Sequence, residues 1–228
     1  MITVHHLENS RSQRILWLLE ELEIDYEIRK YKRDPVTSLA PPELAELHPM
    51  GKAPVVVDGD IVLAESAAII EFLVDKYGQG KLRPEAGTDE HRSYTYWLHF
   101  AEGSLMPLML VSLIVARIAN APMPFFAKPV ARGIAGKVKA GYLDPNVKRS
   151  LDFMEKTLTA SHFFCGNELS AADIQMSFPI EAAAVRSNLQ SDYPKLSEFL
   201  ERIHARPAYQ RALEKGGPYE LMGTSTKK

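Results

Sequence analysis

Two polar clusters stand where this sequence passes from one kind of element to another. The first is Asn9-Ser10-Arg11-Ser12, between a short β-branched run and a segment of helical periodicity. The second is Glu65-Ser66, directly ahead of the apolar Ala67-Ala68-Ile69-Ile70. A serine in that place reads as a helix cap. A helix start also presents unpaired N–H donors and a partial positive charge, which favour an anion by roughly 0.3–1 kcal/mol. Between the clusters, Gly51-Lys52-Ala53-Pro54 heads a second β-branched run. Pro54 cannot donate to a sheet ladder, so it belongs at a strand's start or on an edge. Asp58-Gly59 between apolar runs is a hairpin signal. The stretch reads as proline, strand, turn, strand, helix, with polar groups gathered at the helix start.

The surrounding elements follow from periodicity. Residues 2–7 are β-branched and read as a strand, and residues 10–23 repeat Ile15, Leu16, Leu18, Leu19 and Leu22 at helical spacing. Residues 25–32 alternate as a half-buried strand, and 41–48 form a short helix with proline in its first turn. Strands at 54–58 and 61–64 and a helix from Ser66 to Tyr77 complete a β-α-β-α-β-β-α order. Glycine, proline and charge then punctuate residues 78–89 without periodicity. Beyond them the pattern is helical, broken at Pro107, 120–124, 166–167 and 192–194, and predicts about five helices. The expected organisation is an α/β domain over 1–80, a linker over 81–88 and an all-helical domain with a tail over 89–228.

Composition narrows the function. The 228 residues carry 27 basic and 29 acidic side chains, a net charge of -2, which argues against nucleic acid as a partner. The one cysteine, Cys165, cannot form an internal disulfide, and no signal-peptide pattern opens the chain. The most apolar stretch, 105–119, is too short to span a bilayer and is interrupted by Arg117. The expected location is the cytoplasm, with no membrane partner.

The motifs and their order resemble the cytosolic glutathione transferase family. The family pattern Asn-Pro-x-Gly-Lys-x-Pro, then a hairpin, then Glu-Ser and an apolar helix, stands here as His48-Pro49-Met50-Gly51-Lys52-Ala53-Pro54 and Glu65-Ser66, with His48 in place of the commonest residue. The segment 10–22 resembles the family's first helix, and "GNELSAADI" (166–174) its buried capping segment. The resemblance implies a thioredoxin-like first domain, a helical bundle after it and a homodimer. It implies a cis bond before Pro54, which lets the Ala53 peptide group pair with an extended peptide such as glutathione. Glu65 would then meet the γ-glutamyl ammonium, Ser66 the neighbouring carboxylate and Lys52 the glycine carboxylate.

A transferase of this kind has to make a thiolate. Lowering a free thiol's pKa of ~8.5 by two units requires about 2.7 kcal/mol of preferential stabilisation. A hydroxyl and a helix start can supply it together. Theta-like and delta-like members carry an activating serine at an offset similar to that of Ser10, which is the expected catalytic group. Asn9, Arg11 and Ser12 are its competitors. The expected reaction is attack of the glutathione thiolate on a small hydrophobic electrophile, or reduction of an organic hydroperoxide, without a metal. The alternative is a non-catalytic relative acting through ligand or protein binding.

Other candidates carry less. His5-His6 lack partners at metal-ligand spacing, and the absence of Cys-x-x-Cys excludes dithiol exchange. Cys165 reads as a buried, inert thiol. Ser170 and Asp173 have capping-box spacing. Phe100, Met106 and Met109 read as core, with the electrophile pocket as their other possible place.

Overall fold

β1 (Ile2–Leu7) forms the centre of a four-stranded mixed sheet of order β2-β1-β3-β4. These coordinates come from a computed structural model that describes residues 1–185, 189–217 and 219–220. β2 (Tyr26–Tyr31) runs parallel to β1, from Ile2 opposite Tyr26 to Leu7 opposite Tyr31. β3 (Val55–Asp58) pairs antiparallel with β1, and the Asp58-Gly59 turn returns it as β4 (Ile61–Ala64). Gly59 takes a φ of 62°, which the tight turn requires. The Ala53-Pro54 bond before β3 is cis.

α1 (Ser12–Leu22) is buried along nearly its whole length, because the sheet covers one side and the helical domain the other. It ends at Glu23 in the left-handed region, whose N–H bonds to the Leu19 carbonyl. α2 (Glu43–Leu47) is short, and α3 (Ser66–Tyr77) packs against α1. Asp58 ties the far end of α3 back to the sheet by accepting from Lys76 Nζ and Tyr77 Oη, both at 2.6 Å.

The helical domain differs from the expected five helices. Two long runs come first, each divided by a π turn. One is α4 (Asp89–Phe100), a π turn (Ala101–Leu105) and α5 (Met106–Asn120). The other is α6 (Lys128–Val138), a π turn (Lys139–Leu143) and α7 (Asp144–Ala160). Pro107 breaks the sequence period, yet it and Pro145 each lie in the first turn of α5 or α7, directly after a π turn. The chain therefore continues as helix across both. α8 (Ala171–Ala184), α9 (Leu189–Asp192), α10 (Pro194–His204) and α11 (Pro207–Gly216) complete the described elements.

α8 runs through the core and is started by a capping box. The Asp173 carboxylate accepts from the Ser170 N–H and the Phe164 N–H, both at 2.8 Å, and from the Ser170 hydroxyl at 2.7 Å. The two domains meet along α1, which contacts α8 and α11. Arg206 grips Glu21 with two bonds of 2.6 and 2.8 Å, and Arg211 meets Glu20 at 2.7 Å.

Candidate active site

The cis peptide, the start of α3 and the π turn after α4 face one another across a cleft of about 190 Å³. Lys52, Ala53, Pro54, Glu65 and Ser66 line it, together with Arg11 and Glu102. Five side chains separated by strand, turn and strand in the sequence are thus brought to one place by the β3–β4 hairpin.

Ser66 differs from its expected part as a helix cap. It is the first residue of α3, and the preceding Glu65 occupies the cap position with a φ of 70° and no side-chain cap bond. A non-glycine residue in that region is strained, and such strain concentrates at ligand clamps. The Ser66 oxygen instead accepts two bonds, from Arg14 Nη1 at 3.1 Å and from Gln175 Nε2 at 3.2 Å. Both partners are donors, so the Ser66 hydroxyl proton is left to be donated elsewhere.

Arg14 is buried and charged beside this serine. Its countercharge is Glu102, whose Oε1 lies 2.5 Å from Arg14 Nη1 and whose Oε2 lies 3.0 Å from Arg11 Nε. The Phe178 ring lies 5.2 Å from the Arg14 guanidinium carbon. Burial pulls the Arg14 pKa down, and Glu102 opposes that pull. One carboxylate from the helical domain thus holds two arginines of the first domain.

The expected catalytic group, Ser10, lies in the loop before α1, whose first residue is Ser12 rather than Ser10. Its hydroxyl is buried and stands 2.7 Å from Ser12 Oγ, while the Ser12 N–H donates to Ser10 Oγ at 3.2 Å. Ser12 Oγ in turn lies 2.9 Å from His6 Nδ1 and 3.2 Å from the Leu7 carbonyl oxygen. Burial pushes the His6 pKa down to about 4, so the ring is neutral at physiological pH. The Gly216 backbone occupies the ring's other polar side. With Nε2 donating there, Nδ1 accepts from Ser12, and Ser12 accepts from Ser10. Both hydroxyl protons then point inward along the chain Ser10–Ser12–His6. Of the four residues 9–12, Arg11 lines the cleft. Asn9 takes a φ of 49°, and its Oδ1 accepts from the Glu220 N–H at 2.8 Å.

Comparison with known proteins decides the family. Residues 1–75 match the family model "Glutathione S-transferase, N-terminal domain", and residues 120–207 match "Glutathione S-transferase, C-terminal domain". The chain is 40% identical to glutathione S-transferase 3 of Schizosaccharomyces pombe over 94% of its length and 88% of that protein's. The chain belongs to the glutathione S-transferase family. It is also 34% identical to glutathione S-transferase 1 of Saccharomyces cerevisiae, over 94% of this chain and 95% of that one. A crystal structure of a glutathione S-transferase from Actinobacillus pleuropneumoniae superposes with a TM-score of 0.83 at 36% identity, covering 99% of this chain and 98% of that one. The first domain of this transferase is accordingly thioredoxin-like, and the second is the family's helical domain.

Three residues around the candidate site had no sequence signal of their own. Glu102, Arg14 and Gln175 reach Ser66 or Arg11 across long sequence separations, from faces that periodicity alone does not orient. The remaining candidates are structural. His5 bonds Tyr31 Oη at 2.8 Å, and burial pushes the Cys165 thiol up to about 12, where it is inert. Met106 and Met109 are buried in the core, and Phe100 packs among Tyr96, Trp97 and Phe153. The tail after Glu220 lies outside the described residues.

Proposed function

We propose that the cleft beside the cis peptide binds glutathione, and that the chain transfers its thiolate sulfur to small hydrophobic electrophiles. The observation that carries this reading is the convergence of Lys52, Ala53, Pro54, Glu65, Ser66 and Arg11 on one cleft. The Ala53 N–H and C=O pair with the cysteinyl unit as a sheet edge would. Ser66 donates its free hydroxyl proton to the γ-glutamyl carboxylate, aided by the α3 N-terminus. Glu65 meets the ammonium and Lys52 the glycine carboxylate. In the transfer step a C–S bond forms, the leaving group takes the bonding pair, and the thiol proton has already gone to solvent. With a hydroperoxide the same sulfur attacks the terminal oxygen, the O–O bond breaks and the alcohol leaves, giving a sulfenic acid; a second glutathione thiolate then attacks that sulfur, and water leaves as the disulfide closes.

Arg11 is the group we place opposite the sulfur, with Ser10 behind it. Arg11 lines the cleft, with its guanidinium paired to Glu102, whereas the Ser10 hydroxyl is engaged with Ser12. A cation favours the thiolate over the thiol directly. Thiolate ultraviolet absorbance against pH, with glutathione bound, tests this. Arg11→Gln raises the bound thiol's pKa by about one unit and lowers kcat, and Ser10→Ala has the smaller effect. A larger effect from Ser10→Ala returns the role to Ser10. Absence of calorimetric binding of glutathione overturns the whole reading.

The transferase is also proposed to be a cytoplasmic homodimer. An open aromatic groove on α4 and α7, where Tyr96 and Phe153 are exposed beside Trp97, suits a second copy.

A further inference from the structure

α5, residues 121–127 and α6 form a helical hairpin whose outer surface has no part in the proposed reaction. Leu110, Ile114 and Ile118 recur every fourth residue on α5 and are exposed. Val130, Ile134 and Val138 do the same on α6, where Ala135 is the buried position. At the hairpin's tip Phe125 is 85% exposed and Phe126 70%. Residues 112, 115, 116 and 119 of α5, residues 132, 135 and 136 of α6 and residue 139 at the start of the π turn after it face a cavity of about 640 Å³. At ~100° per residue the apolar stripes lie on roughly the opposite side of each helix, so both turn outward.

The charge of this hairpin is one-sided. Between Glu102 and Asp144 the sequence has no acidic residue, and it has five cations: Arg117, Lys128, Arg132, Lys137 and Lys139. The whole chain, by contrast, carries a net charge of -2. Arg117 and Lys137 lie at the edges of the two stripes, next to Ile118 and Val138.

We propose that the hairpin lays its apolar face on an anionic lipid surface, with Phe125 and Phe126 entering the headgroup boundary and Arg117 and Lys137, at the edges of the stripes, meeting the headgroups. Exposed aromatic and aliphatic side chains flanked by Lys and Arg are the chemistry of interfacial binding. A second copy of the chain suits this face poorly. An isologous contact would set like charges against each other with no acid on the face to answer them. The aromatic groove on α4 and α7 is a separate surface, since Tyr96 and Leu110 are about 20 Å apart along the helical run.

The contact is peripheral. The run Asp89–Asn120 is long and apolar enough by composition to cross a membrane. Its first half, however, is held in the core through Tyr94, Trp97, Leu98, Ala101 and Leu105, so it lies on the surface rather than spanning it. The proposal departs from the sequence expectation of no membrane partner, because that expectation weighed spanning length and not the outward turn of the stripes.

Flotation of the full chain with phosphatidylcholine vesicles, with and without about a third phosphatidylserine, tests the proposal. The expected result is binding to the anionic vesicles, weakened by salt, and about tenfold less partitioning into the neutral ones. Phe125→Ser with Phe126→Ser, and separately Arg117→Glu with Lys137→Glu, each reduce the anionic partitioning about tenfold or more. Turnover of glutathione in vesicle-free buffer stays at the wild-type level in both. Failure to bind anionic vesicles, or charge reversal without effect, overturns the proposal. A change of oligomeric state in the phenylalanine variant without vesicle binding overturns it in favour of a second copy.

Discussion

His6 couples the candidate site to pH, and the size of the coupling follows from its surroundings. The folded protein holds the ring neutral, with its pKa pushed from 6.5 down to about 4, chiefly by burial and then by the Lys30 charge. The unfolded chain takes up a proton below the ordinary histidine value. Between the two values the unfolded state binds more protons, so stability rises with pH across that window and is lost as pH falls from 6.5 towards 4. The full loss is about 3 kcal/mol, of which about 2 kcal/mol falls between pH 7 and 5. His6→Asn keeps an acceptor for Ser12 and has no proton to gain. Denaturant unfolding of both proteins at the two pH values, at fixed protomer concentration, isolates the contribution. The variant should lose about 2 kcal/mol less than wild type on acidification. Equal losses would refute the argument that this ring is buried and neutral. Protonation also reverses the bond to Ser12, since Nδ1 then donates, which frees the Ser12 proton for Ser10 or Leu7.

Glu102 answers the buried charge of Arg14, so Glu102→Ala should destabilise the fold by about 3–5 kcal/mol in thermal or chemical unfolding. Glu102→Gln, which retains an acceptor, should cost less. Asp173→Ala strands the N–H groups of Phe164 and Ser170 and removes the capping box, for a loss of about 3–5 kcal/mol by the same assay. Asp173→Asn should recover part of it. Ser66→Ala removes the hydroxyl that is free to donate to a carboxylate, and should raise KM for glutathione about tenfold or more with a smaller change in kcat.

What could be read from the sequence was whatever is local. The turn at Asp58-Gly59 fixes β3 and β4 within a few residues, and α3 runs from Ser66 to Tyr77 as its apolar spacing requires. The π turns escaped notice because a π turn shifts the helical phase without ending the helix, and a proline beside one, Pro107, looks like a stop. The part assigned to Ser66 turned on one backbone angle. With Glu65 at a φ of 70° in the cap position, the helix begins one residue earlier than a cap at Ser66 would place it, and the serine side chain is released from capping.

That release has a chemical consequence the local sequence could not carry. A capping serine accepts from its own helix, and its orientation is set by that helix alone. Here the two donors come from Arg14 on α1 and Gln175 on α8, so Ser66 is aimed by elements far away in the chain. Arg14 in turn depends on Glu102 from the helical domain for its countercharge. The Ser66 end of the cleft is therefore built jointly by both domains, although the residues that line the cleft are mostly those of the first. A thioredoxin-like domain alone would present Glu65 and Ser66 in the same order, but with the serine proton unaimed and Arg14 uncompensated. The helical domain thus sets up the first domain's site before any electrophile arrives.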